Sequence, residues 1–303
     1  MQMTYPVNKN PAKKHSAKSN RMNLRQKLSC LLAGTLLPFI AVSANADSVT
    51  LAQLWSTKEL RTPESVLVHK AGTEKYLLVT EIEGDGAALD GKGGIAKLSM
   101  SGEILDQDWV RGLNAPKGMA VHKQKLYVAD VNDLVVIDMA SQKIEAKINV
   151  PDSVFLNDVA VDEKGVVYVS DTRTNKVHRF INNKPEVFLE NIASANGLYT
   201  NGKNLIIGAG STLLSVGPDK KQTELATGFE SGIDGIEMTK SGEYLVSCWV
   251  GLMYYVYADG SIEKLIDSRE DKINTADIGY DRDEKVVFVP NFLKDSVTAY
   301  QVK

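Results

Sequence analysis

The stretch LNDVAVDEKGVVYVSD (156–171) decides the fold. A strand of small and aliphatic residues runs into a turn and then into a second, more apolar strand. The same pattern returns in PKGMAVHKQKLYVAD (116–130), ANGLYTNGKNLIIGAG (195–210) and IDGIEMTKSGEYLVSC (233–248), and more weakly in PESVLVHKAGTEKYLLVTE (63–81) and ADIGYDRDEKVVFVPN (276–291). The spacing is about forty residues, the length of a propeller blade. A third strand follows each pair: GIAKLSM, LVVIDM, KVHRFI, TLLSVG, LMYYVYA and SVTAYQV. Five copies add a fourth, and the sixth ends at Lys303 without one. VTLAQLW (49–55) has the character of that missing strand and nothing before it to pair with. The sequence therefore predicts an all-β, six-bladed β-propeller of four-stranded antiparallel blades, with residues 49–55 completing the last blade and closing the ring.

The chain has 303 residues, 43% hydrophobic and 24% charged, which excludes disorder, collagen and coiled coil. All seven basic residues of the first 46 positions stand without an acid, so residues 47–303 carry 28 basic and 38 acidic residues. An acidic body repels phosphate backbones, and no nucleic-acid partner is expected. Arg25 and Lys27 precede LSCLLAGTLLPFIAV (28–42), which ends in Ser43-Ala44-Asn45-Ala46. A basic n-region, an apolar run and an A-x-A site predict a signal peptide with a basic extension over 1–46, cleaved after Ala46. The product is expected in the periplasm or secreted, without a stable membrane anchor, as one domain spanning 47–303. It retains a single cysteine, Cys248, so no disulfide supports it.

Each innermost strand begins near the axis, so one repeat position faces the channel mouth from all six blades. Counting back from the second strands gives Glu64, Lys117, Asn157, Asn196, Asp234 and Asp277. Converging carboxylates repel, and burying them demands a cation or protons. Oxygen donors suit a hard cation, and Ca²⁺ accepts loosely arranged oxygens more readily than Mg²⁺. Without imidazole or thiolate, the ring is poor for zinc, copper or iron. Read from the residues alone, a metal site and a structural plug, with Lys117 bridging Glu64 or Asp277, both remain open.

PES (63–65), LNAPKGMAV (113–121), LND (156–158), ANGL (195–198), DGI (234–236) and ADIGYD (276–281) resemble the gluconolactonase and regucalcin (senescence marker protein) family of six-bladed propellers. More distant likenesses run to diisopropyl fluorophosphatase and the paraoxonases. The resemblance covers most of residues 50–303. It implies a divalent cation held by Glu64, by Asn196 of an NG turn and by Asp234 of a DG turn, with Asn157 a fourth position for metal or substrate. Where sugar-lactone hydrolases of the regucalcin type carry an arginine, Phe155 and Leu156 stand.

A cation at that point polarises a lactone carbonyl or phosphoryl oxygen. Asp234 is then the expected ligand and water activator or nucleophile, Asp277 an alternative base, and Lys117 a group that stabilises a leaving alkoxide or binds a substrate carboxylate. Trp249 and Phe292, just past second strands, are candidates for packing between blades or for an apolar pocket wall, and IEGDGAALDGKG (82–93) for a surface excursion or a lid. The expected function is an exported Ca²⁺-dependent lactonase or related esterase acting on a small molecule. The alternative is a non-catalytic propeller that binds a ligand or protein partner, its axial ring a plug.

Overall fold

The computed structural model describes residues 48–303. The expected export signal over 1–46 lies outside the described residues. Apart from one 3-10 turn, Phe292–Lys294, every regular element is a strand, and the strands form six antiparallel four-stranded sheets. The innermost strands are Pro63–Ala71, Pro116–His122, Leu156–Val161, Ala195–Asn201, Ile236–Met238 and Gly279–Asp281. They touch one another in cyclic order, the last returning to the first, so the sheets form a six-bladed ring. The expected closure is present: Leu51–Thr57 pairs with Ser296–Val302, from Leu51 opposite Val302 to Thr57 opposite Val297. The edge that blade six would expose is thus covered by the other end of the domain.

The middle strands of the blades are buried along nearly their whole length, as in Leu252–Val256 and Val286–Asn291, because both faces of a blade pack on its neighbours. Tyr76 and Leu78 of blade one meet Met119, Leu126 and Val128 of blade two, and Phe180 of blade three joins Ala129 and Leu134 of blade two. Truncating a fully buried member such as Leu126 to alanine is expected to cost about 2–5 kcal/mol.

Two devices aim the inner strands at the axis. The first is an acid ending the second strand. Asp130 accepts the amides of Asn114 (2.9 Å) and Ala115 (2.8 Å), Asp171 those of Val154 (3.1 Å) and Phe155 (3.0 Å), and Glu81 that of Arg61 (2.8 Å). Each fixes the loop that feeds an inner strand, satisfying amides that would otherwise lack partners.

The second device is a β-bulge at one position in four blades. Register jumps between Pro63 and Val66, Pro116 and Met119, Leu156 and Val159, and Ala195 and Leu198, with one extra residue on the inner strand each time. The first residue inside each jump is Glu64, Lys117, Asn157 or Asn196, so the bulge turns the ring side chains toward the mouth. A hydroxyl on the second strand takes the amide that the bulge frees: Thr80 for Ser65, Ser170 for Asp158, and, at the matching place in blade five, Ser247 for Gly235, each at 2.9 Å. In blades five and six the strand starts only at Ile236 and Gly279, two residues past the ring position rather than before it.

The NG and DG pairs are therefore not turns. Gly197 and Gly235 have no positive φ; a Cβ on Gly197 would run into the Asp234 carbonyl, and one on Gly235 would meet Ile278 N at 2.5 Å. Glycine stands there because the next blade's backbone lies against it at the axis.

Candidate functional site

A cavity of about 260 Å³ opens at the ring, lined by Glu64, Lys117, Asn157, Asn196 and Asp234 together with Ile82, Gly86, Phe155, Trp249 and Phe292. Seven of the eight residues singled out in the sequence thus meet around one space, from six blades. The eighth, Asp277, does not line it.

Three oxygens here are buried without a hydrogen-bond partner: Glu64 Oε2, Asn196 Oδ1 and Asp234 Oδ2. They come from blades one, four and five. Asn196 Nδ2 donates to Asp234 Oδ1 at 2.7 Å, which aims both remaining oxygens, and Asn157 Nδ2 donates to Thr172 Oγ1 at 3.2 Å. Burial pushes the Glu64 carboxyl well above the usual range, the charge of Asp234 adds to this, and Lys117 partly offsets it. Burial likewise raises Asp234 to about 7 against the opposing Asn196 amide. A buried unpartnered acceptor is costly, and three from separate blades around one space form a place prepared for something positive.

Two carboxylates and two amides match an oxygen-binding cation in donor chemistry. Among the described residues no group of three or more His, Cys, Asp and Glu side chains is arranged to hold a metal. Any site here depends on the amide oxygens. No histidine lines the cavity. His178 is buried beside Asp171, its Nε2 3.8 Å from the carboxylate.

Lys117 departs from the expected plug. Its ammonium donates to Gly86 O (2.8 Å) and Ala115 O (2.9 Å) and lies 4.4 Å over the Phe155 ring; among the described residues it makes no ion pair within 4.0 Å. Burial lowers its pKa, opposed chiefly by Glu64. Two carbonyls and a ring face are suitable company for a buried ammonium. The contact to Gly86 fastens the 82–93 loop against the cavity. Trp249 of blade five and Phe292 of blade six meet edge to face at 5.7 Å, so they pack between blades and also line the cavity.

Asp277 is a correction. The blade-six backbone forms a parallel bridge with Ser65: Asp277 N donates to Glu64 O at 2.9 Å and Val66 N to Asp277 O at 3.2 Å. This turns its carboxylate away from the ring, where it accepts the Ser65 hydroxyl at 2.5 Å. There it shares a second space of about 220 Å³ with Asp158 and Glu237. Burial drives Asp277 well up, and raises Asp158 to about 7 and Glu237 to about 8. The sequence reading missed both of these acids. Asp158 sits in the already quoted LND, next to Asn157, and lines the other space. Phe155 was named only as a departure from the sugar-lactone pattern, although its place beside Asn157 was visible.

No protein-family description matches the sequence, and no curated protein does. Similar solved structures exist. A streptogramin B lyase shares 11% identity with a TM-score of 0.61, covering 84% of this chain and 98% of its own. A catalytically inactive histidine-to-alanine variant of virginiamycin B lyase from Staphylococcus aureus, solved with quinupristin, shares 11% at 0.57, covering 84% and 99%. A chain of a nidogen/laminin complex shares 12% at 0.59, covering 69% and 86%. Identities this low carry the architecture alone: this chain is a six-bladed β-propeller.

Proposed function

We propose that this protein is a divalent-cation-dependent hydrolase of lactones or related esters, with Ca²⁺ the favoured ion. The observation that carries the reading is the trio of unpartnered buried oxygens on Glu64, Asn196 and Asp234. The motif resemblance to the gluconolactonase and regucalcin family supplies the substrate class. Glu64, Asn196 and Asp234 would hold the ion, with Asn157 beside them. When bound, it would act as a Lewis acid on the ester carbonyl and the oxyanion that develops there.

The chain's own groups do the rest. Asn196 holds Asp234 Oδ1 and leaves Oδ2 free. Asp234 takes a proton from water as the oxygen bonds to the carbonyl carbon; the ring C–O bond then breaks, and the alkoxide recovers that proton to give the hydroxy acid. Lys117 keeps one ammonium proton beyond the two given to carbonyls and can meet the developing alkoxide.

A lyase of the streptogramin kind finds less support. Replacing one histidine by alanine leaves the virginiamycin enzyme catalytically inactive, and no histidine lines this cavity. A ring plugged by Lys117 is also disfavoured, because that ammonium is bound to carbonyls.

The test is metal analysis of the purified chain, then lactones and phosphotriesters with and without chelator. One bound cation per chain is expected, with lactone turnover lost to chelator and restored by Ca²⁺. Glu64→Gln and Asp234→Asn should abolish ion and turnover together with the fold intact. Full turnover in both variants without metal rules the mechanism out.

A further inference from the structure

Resting on that hydrolase reading, we infer that the substrate is a lactone or ester whose group beyond the reacting carbonyl is apolar, an alkyl or aryl chain rather than a polyol. Two independent features of the cavity lead there.

The first is the use of its polar groups. Asn196 Nδ2 gives one of its two protons to Asp234, Asn157 Nδ2 one to Thr172, and Lys117 two of its three to backbone carbonyls. The free oxygens of Glu64, Asn196 and Asp234 are the cation's. What remains for substrate is one ammonium proton and one N–H on each amide, enough for the ester itself. A sugar lactone would bury more hydroxyls here than these few groups can meet, and each unpaired hydroxyl opposes binding.

The second is the remaining surface. Ile82, Phe155, Trp249 and Phe292 supply it, and Ile82 and Phe292 are anchored in a small apolar cluster with Ala115 and Val131. The apolar surface also continues outward. Val154 precedes Phe155, Val250 follows Trp249, Leu293 follows Phe292, and Leu89 shares the loop of Ile82 and Gly86. All four are exposed, Leu89 at 63%, Leu293 at 62% and Val154 at 50%. Every loop that sends an aromatic or aliphatic residue into the cavity thus leaves another exposed close by in sequence. Exposed apolar residues on these loops suit a substrate with an apolar chain.

The probes are γ-lactones with methyl, butyl and octyl substituents, glucono-δ-lactone, and the matching γ-lactams, which bind without being opened. With Ca²⁺ and the full chain, kcat/KM and lactam affinity by calorimetry should each rise about fourfold per added methylene over the first few, then level off. Trp249→Ala should cut the octyl-to-methyl ratio about tenfold. Trp249 is 42% exposed, so its loss should not unfold the blade. Phe292→Ser is the second variant and should move the ratio the same way. Lactone turnover indifferent to chain length, or glucono-δ-lactone preferred, overturns the inference and leaves the hydrolase reading standing. Chain-dependent lactam binding with no lactone opened supports an apolar occupant and overturns the hydrolase reading.

Discussion

The axis of this propeller carries two groups of buried acids, one above the other along the inner strands, and they are partnered in opposite ways. On the mouth side, Glu64 and Asp234 each keep an oxygen without a donor, as does Asn196 beside them. On the channel side, Asp158 accepts the amides of Val159 (2.6 Å) and Leu198 (2.5 Å), Asp277 accepts the Ser65 hydroxyl, and Glu237 is held by the Tyr280 backbone. Residue type is alike in both groups, although Asp277 and Glu237 are only half-buried where Glu64, Asp234 and Asp158 are buried. Burial raises every one of these carboxyls, so the direction of the shift does not tell the two apart. Hydrogen-bond accounting does. An acid whose oxygens are met by the protein is holding strands together; a bare oxygen facing the cavity is what the proposed cation would fill, and Glu81, which also leaves Oε2 bare, does not line that cavity.

The largest effects should come from substituting one acid in each group. Asp234→Asn keeps an acceptor for Asn196 but removes the charge, so Ca²⁺ affinity should fall at least about a hundredfold, as for other lost charged contacts. The metal-free variant should melt several degrees higher, because a costly buried charge has gone. Asp158→Ala should do the reverse. It leaves two strand amides without partners, at about 1–3 kcal/mol each, while Ca²⁺ affinity moves little. Calorimetric ion titration and thermal melts of both variants are the check. Equal losses of ion affinity would merge the two groups into one site.

The melting curve of the metal-free protein should next depend on pH in an unusual direction. Free Asp and Glu release protons near pH 4, whereas here Asp158, Asp234 and Glu81 hold theirs to about 7 and Glu237 to about 8. Between those limits the folded chain binds more protons than the unfolded one, so stability falls as pH rises from about 5 to 8. Ca²⁺ should recover the mouth-side share of that fall, with little effect at pH 5, and leave the channel-side share. Scanning fluorimetry in chelator and in Ca²⁺ at four pH values separates the two. A metal-free Tm that climbs from pH 5 to 8 would contradict the placement of these acids.

The repeat made the architecture legible. Six strand pairs and a lone strand at 49–55 leave one way to remove the last open edge, and the register from Leu51 to Thr57 against Ser296–Val302 is that way. The ring was legible at five positions because a repeat offset carries over from blade to blade. It failed at Asp277. There the offset still lands on the axis, but the side chain's direction is set by a bridge to Ser65, more than two hundred residues away in sequence. Lys117 stands where the repeat puts it, but its partners were not legible: the two carbonyls belong to an irregular loop and to its own strand entry, neither of which has a periodic signal. In LND, Asn157 lines the mouth-side cavity and Asp158 the channel-side one, and nothing in the three letters announces which is which.

The smallest effect is expected at Asp277, and it divides the two groups most finely. Its place in the repeat makes it a candidate general base, whereas its carboxylate lies on the channel side and is engaged by a hydroxyl. Asn at this position still accepts from Ser65, so folding should survive and lactone turnover should stay within about threefold of the parent. The acidic limb of the kcat/KM profile should not move, because on the proposed mechanism that limb belongs to Asp234. Should Asp277→Asn instead erase that limb while Ca²⁺ still binds, the reacting water would have to reach the channel. The two cavities would then be one active site, with the base below the ion rather than beside it.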